Sequence, residues 1–125
     1  MSNYAQRRRV VHGRILGAQT DNTDVFSIIV PAGREFQILA FKGWVAGAAG
    51  ASTSLEITDA SHATIHSEIS TVSTGHVQDV TASRFPITIV NTTASATRLK
   101  LRVNGTMGAG TDVNFEVHIT DPGHA

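Results

Sequence analysis

The sequence predicts an all-β chain folded as a two-sheet antiparallel sandwich, on three observations. Val and Ile total 22 of the 125 residues against 5 Leu, and Ser and Thr add another 25. β-branched side chains pack well on a pleated surface and lose rotamer freedom in a helix. Apolar and polar residues alternate with period two through most of the chain, the signature of half-buried strands. Clusters of Gly, Pro, Asn and Asp separate these runs at short intervals, where turns belong. With 11 Gly, 2 Lys and 4 Glu, little in the composition favours helix.

Each element follows from its own pattern. Val10–Leu16 reads as a first strand and 19–23, with Asp21 and Asn22, as a turn. Residues 25–30 form a strand with Phe26, Ile28 and Val30 on one face, ended by Pro31-Ala32-Gly33, because Pro lacks the donor a ladder needs. The longest strand is 35–45. Phe36, Ile38 and Ala40 face one way and Gln37, Leu39, Phe41 and Val45 the other, so both faces are expected to be covered, one of them by a second chain. A Gly/Ala/Ser/Thr loop at 47–53 leads to a strand at 54–59 and a turn at 59–62. Residues 63–70 alternate Ile65, Ser67 and Ile69 against Thr64, His66 and Glu68. Val77 and Val80 mark a short edge strand inside the irregular stretch 71–84. Residues 85–91, 98–103 and 112–120 complete the set, and Asp121-Pro122-Gly123 ends the last strand before a short tail. Eight or nine short strands suit a jelly roll, two Greek keys folded into facing sheets. An immunoglobulin-like sandwich is the alternative, but no Cys pair flanks Trp44.

At 125 residues the chain is one domain, long enough to bury a core without staples. No run reaches the roughly 18 apolar residues of a membrane-spanning helix. The absence of Cys removes disulfides, thiolate catalysis and Cys-ligated metals. Residues 1–20 contain no apolar stretch suited to a signal peptide, so the chain is expected to stay, or be packaged, where it is made. Net charge is zero but uneven. Arg7, Arg8, Arg9 and Arg14 give residues 1–14 a charge of +4, while six basic and ten acidic side chains give the other 111 residues −4. We therefore divide the chain into a basic N-terminal arm, 1–14, and a sandwich domain, 15–125, with the arm suited to docking on an acidic surface.

No constellation declares a chemistry. The six histidines are His12, His62, His66, His76, His118 and His124. His66 lies two residues before Glu68 on one strand face, which superficially resembles a cupin metal motif. The His spacing is wrong and the later His is missing, so no metal or cofactor is expected. No Ser sits in a Gly-x-Ser-x-Gly elbow and no helix follows a glycine loop, so enzymatic activity is not expected. Arg98, Lys100 and Arg102 form a basic stripe on one strand, but a pI near 7.0 argues against nucleic-acid binding. Sugar-binding sandwiches expose aromatics, for which Trp44 and Tyr4 are available. Trp44 shares the parity of Phe36 and Ile38, and is expected in the core or at a subunit interface. Protonation of the histidines near pH 6.5 adds positive charge, so any assembly is expected to loosen in acid.

Several stretches together resemble the small jelly-roll virion proteins of tailed bacteriophages, in particular capsid decoration (cement) proteins. They are Asp24-Val-Phe-Ser-Ile-Ile-Val-Pro-Ala-Gly33, Glu35-Phe-Gln-Ile-Leu-Ala-Phe41, the loop 46–54, Ser54-Leu-Glu-Ile-Thr-Asp59 and Gly110-Thr-Asp-Val-Asn-Phe-Glu-Val-His-Ile119. The resemblance implies a non-enzymatic protein made in the host cytoplasm. Its place would be the outside of a virion capsid, as a homotrimer clamping neighbouring major capsid proteins. Tyr4, Arg7, Arg8, Arg9, Arg14, Phe41 and Trp44 are the interface residues expected. A carbohydrate- or receptor-binding module of a phage fibre or tail is the alternative, ahead of a metal-dependent jelly-roll enzyme.

Overall fold

Ten strands make up most of the described chain: β1 (Arg8–Ile15), β2 (Asp24–Val30), β3 (Arg34–Gly47), β4 (Ser54–Thr58), β5 (Ile65–Ser70), β6 (Gly75–Gln78), β7 (Ile87–Asn91), β8 (Thr97–Asn104), β9 (Thr111–Thr120) and β10 (Gly123–His124). The computed structural model describes residues 7–47, 54–70, 75–78, 85–105, 107, 110–121 and 123–124. Among them there is no helix.

The strands form two antiparallel sheets. In the first, β1 pairs with β9 and β9 with β3. The far edge of β3 pairs with β7 along Arg34–Ile38 and with β6 along Lys42–Val45. β10, expected to be tail, returns beside Arg34 and Glu35. The second sheet has the order β2-β8-β4-β5. Consecutive strands cross between sheets at most connections, with β6 and β7 sharing one edge position. This is the strand order of a jelly roll.

The core lies between the sheets. β9 contributes Val113, Phe115, Val117 and Ile119, β8 contributes Leu99, Leu101 and Val103, and β4 contributes Leu55 and Ile57, each set at every second residue as the pleat requires. Gly13 of β1 crosses Phe115, where an added Cβ would sit 3.0 Å from the ring. Phe26 meets the same ring edge-on, with centroids 5.4 Å apart.

β3 departs from the expected pattern. Ile38 pairs with Ile119 and Ala40 with His118, so Leu39 is an extra residue opposite no partner, a β-bulge. Before it, Phe36 and Ile38 point inward; after it, Phe41, Gly43 and Val45 do. Both parities of this strand are therefore filled by one core, and its two-sided apolar pattern needs no second chain. Phe41, expected at an interface, is 1% exposed inside the sandwich. Trp44, expected in the core or at a subunit interface, is turned out of the core and 52% exposed on this chain.

Residues 8–14, assigned to the arm by their charge, are β1, in register with Thr120 to Asn114. Val11 and Ile15 turn toward the core while Val10, His12 and Arg14 point outward, so the ladder with β9 and this alternation place the strand in the sheet. Residues 1–6, including Tyr4, lie outside the described residues.

Candidate interaction surfaces

Two surfaces stand out, and β1 borders both. The first is the open side of the sandwich, where β1 ends one sheet and β2 the other. Phe26 and Ile29 are exposed there. Val11, Phe26, Ile28, Phe36 and Ile119 line an apolar opening of about 410 Å³ between the two edge strands. The arginines of β1 are partly engaged within the chain. Arg14 Nη2 donates to Asp112 Oδ2 at 2.8 Å, and Gly17 N donates to Asp112 Oδ1 at 2.8 Å. Those two contacts, Arg14 first, hold the Asp112 carboxyl below its ordinary range. Arg9 Nε lies 3.5 Å from Asp121 Oδ1, and the Arg7 carbonyl accepts from Asp121 N at 2.9 Å. Arg8 points into solvent.

The second surface is the outer face of the first sheet. The register places His12, Glu116 and Lys42 in one cross-strand row and Arg14, Asn114 and Trp44 in the next. An open trough of about 370 Å³ lies among them, with backbone at Gly13, Gly43 and Phe115 beneath. Gly43 keeps β3 close to its neighbours, since an added Cβ would fall 2.6 Å from Ile69 Cδ1 and 3.2 Å from the Asn114 carbonyl oxygen. His118 Nε2 donates to Glu116 Oε2 at 3.1 Å. That bond, aided by the charges of His118, Lys42 and His12, outweighs burial and holds the Glu116 carboxyl below its ordinary value.

The remaining candidates do not assemble into a site. Among the described residues no group of three His, Asp or Glu side chains could hold a metal ion. His62 Nε2 donates to Asp24 Oδ1 at 2.8 Å, and Lys100 Nζ lies 3.3 Å from Asp24 Oδ2. Burial raises the Asp24 carboxyl, but His62 and Lys100 together outweigh it and the net shift is downward. His66 belongs instead to a half-buried position near Asp59, and burial lowers its pKa. The side chains of His76 and His124 lie outside the described residues. The basic stripe on β8 is met from adjacent strands: Arg98 donates to Ser27 Oγ, Lys100 pairs with Asp24 and Arg102 pairs with Glu56.

Comparison with protein-family models, curated proteins and solved structures returns no match. The two surfaces therefore rest on their own geometry. The trough around Trp44 was missed because a bulge reverses parity at Leu39. A signal for it was present. Lys42 falls on the parity of Phe36 and Ile38, and a strand without a bulge would bury its ammonium beside them, at a large cost in desolvation.

Proposed function

We propose that this chain is a structural assembly protein, a capsid-decoration (cement) protein that sits as a homotrimer on the outside of a virion and bridges its major capsid proteins. The open β1–β2 side carries this reading. Phe26 and Ile29 stand exposed at an apolar opening on one lateral side of a small sandwich. Such a side, edged by Arg9 and Ser27, has the anatomy of an interface: an apolar centre, a polar rim and Arg rather than Lys. The likeness of the 24–41 and 110–119 segments to small virion proteins points the same way. The acidic balance of the remaining chain supplies a surface of opposite sign on a neighbouring copy.

Solution mass tests the reading. Gel filtration with light scattering should give a species of about 40 kDa, three times the 13.2 kDa of one chain. The paired substitutions Arg9→Glu and Ile29→Glu, both at that opening, should return it to one chain's mass with an unchanged β spectrum. A wild-type monomer at every concentration, neither trimerising nor binding shells, overturns the proposal.

A further inference from the structure

We infer that the trough on the outer face of the first sheet binds an uncharged saccharide, with one sugar ring lying against Trp44. This does not depend on how the protein assembles. The trough crosses β1, β9 and β3, and two rows of outward side chains give it a footprint of about 10 by 7 Å from strand spacing and pleat repeat. Its volume, about 370 Å³, falls within the range of small-ligand sites. The indole stands half-exposed at one corner, and an aromatic ring is the apolar platform that suits the C–H face of a sugar.

The other side chains suit hydroxyl groups, each of which donates and accepts. Arg14, Lys42 and the Asn114 amide nitrogen donate; Glu116 and the Asn114 amide oxygen accept. The charges at the trough balance. Arg14 is matched by Asp112 at 2.8 Å, and Lys42 lies directly across the ladder from Glu116. An anionic ligand would meet Glu116 and Asp112, and a cationic one would meet Arg14 and Lys42. A neutral polyhydroxyl ligand meets neither penalty. These side chains stand on paired strands, so the site is held in place before a ligand arrives.

An open site of this size binds weakly one copy at a time, so multivalent display is the suitable probe. The full-length chain, biotinylated and tetramerised on streptavidin, would be applied to an array of neutral hexose and N-acetylhexosamine oligosaccharides beside sialylated, uronate and sulfated ones. The best neutral oligosaccharide would then be titrated against the emission of Trp44, the one tryptophan in the sequence. The inference expects neutral glycans to bind and the emission to change. The Kd should move by less than about twofold between low and high salt. Trp44→Ala should abolish binding and Trp44→Phe should retain part of it. Asn114→Ala should weaken binding about tenfold at an unchanged melting temperature. The inference is overturned if no glycan binds, if binding is confined to charged glycans and falls steeply with salt, or if Trp44→Ala binds normally. Emission that shifts with protein concentration and not with sugar would assign Trp44 to a self-interface and overturn it equally.

Discussion

Asn91 holds three parts of the chain at once. It is 3% exposed, and its Nδ2 donates to the carbonyls of Val30 at 3.0 Å and Ser95 at 2.9 Å. Its Oδ1 accepts from Thr93 N at 3.0 Å and Thr93 Oγ1 at 2.6 Å. The amide thus ties the β7–β8 turn to the end of β2. Asn91→Ala strands these partners in a place water reaches poorly. It should cost about 2–3 kcal/mol in chemical denaturation at unchanged m-value. Gly43→Ala acts through space instead. The Ile69 methyl can move away from the new Cβ, but the Asn114 carbonyl belongs to the ladder. A loss of about 1–3 kcal/mol is expected, and shortening Ile69 to Val should recover part of it. At this scale the sequence marks both residues as notable, an Asn closing a strand and a Gly within one. Their partners come from elements far away in the chain.

Among elements, β3 and β4 show how pairing redirects side chains. The bulge at Leu39 lets β3 supply Phe36 and Ile38 by one parity and Phe41 and Val45 by the other. Thr120 supports the neighbouring segment, its Oγ1 accepting from Gln37 N at 2.9 Å. Deleting Leu39 would remove the bulge and leave Phe36, Ile38, Phe41 and Val45 inward on one regular alternation, with Lys42 and Trp44 still outward, so the variant should keep a cooperative thermal transition. On β4, Glu56 is 1% exposed, and Arg102 of β8 reaches its Oε2 at 3.2 Å. Arg102→Met leaves that carboxylate buried without its cation. It should destabilise by about 3 kcal/mol, with Glu56→Gln added on top restoring part of the loss. The alternation of 98–103 and its basic stripe are legible in the sequence, but the partners of Arg98, Lys100 and Arg102 are not. Each meets a group on an adjacent strand, and those pairings arise from sheet order.

For the molecule as a whole, stability should depend on pH in two windows. Burial lowers the His66 pKa from its ordinary 6.5, with Asp59 opposing the shift only in part. Below that value the unfolded chain binds the proton more readily than the folded one, so this contribution is lost as pH falls from about 6.5. Asp24, Asp59, Asp112 and Glu116 are all shifted downward in the folded state. Their contribution is intact above ordinary carboxylate values and is lost as pH falls through the lowered ones. Calorimetric scans should therefore show a melting temperature that declines mildly below pH 6.5 and steeply below about pH 4. His66→Gln should remove the first decline and leave the second. An unchanged slope in that variant would show that His66 does not govern the upper window.

The sequence by itself determined the fold class and most strand positions. Residue type, two-residue alternation and turn chemistry are local properties, and they survive without knowledge of the partner strand. It also placed charge, assigning +4 to the first 14 residues. Only the tertiary structure decided that Arg8–Arg14 form a strand, that Phe41 is core and that Trp44 looks outward. The reason is register. One extra residue opposite β9 reverses every side chain that follows on β3, and the cost of that choice is set by what the opposing strand and the facing sheet can accommodate. The Trp44 trough, the open β1–β2 side and the pairing of each cation on β8 are all consequences of strand order, which brings together residues more than a hundred positions apart.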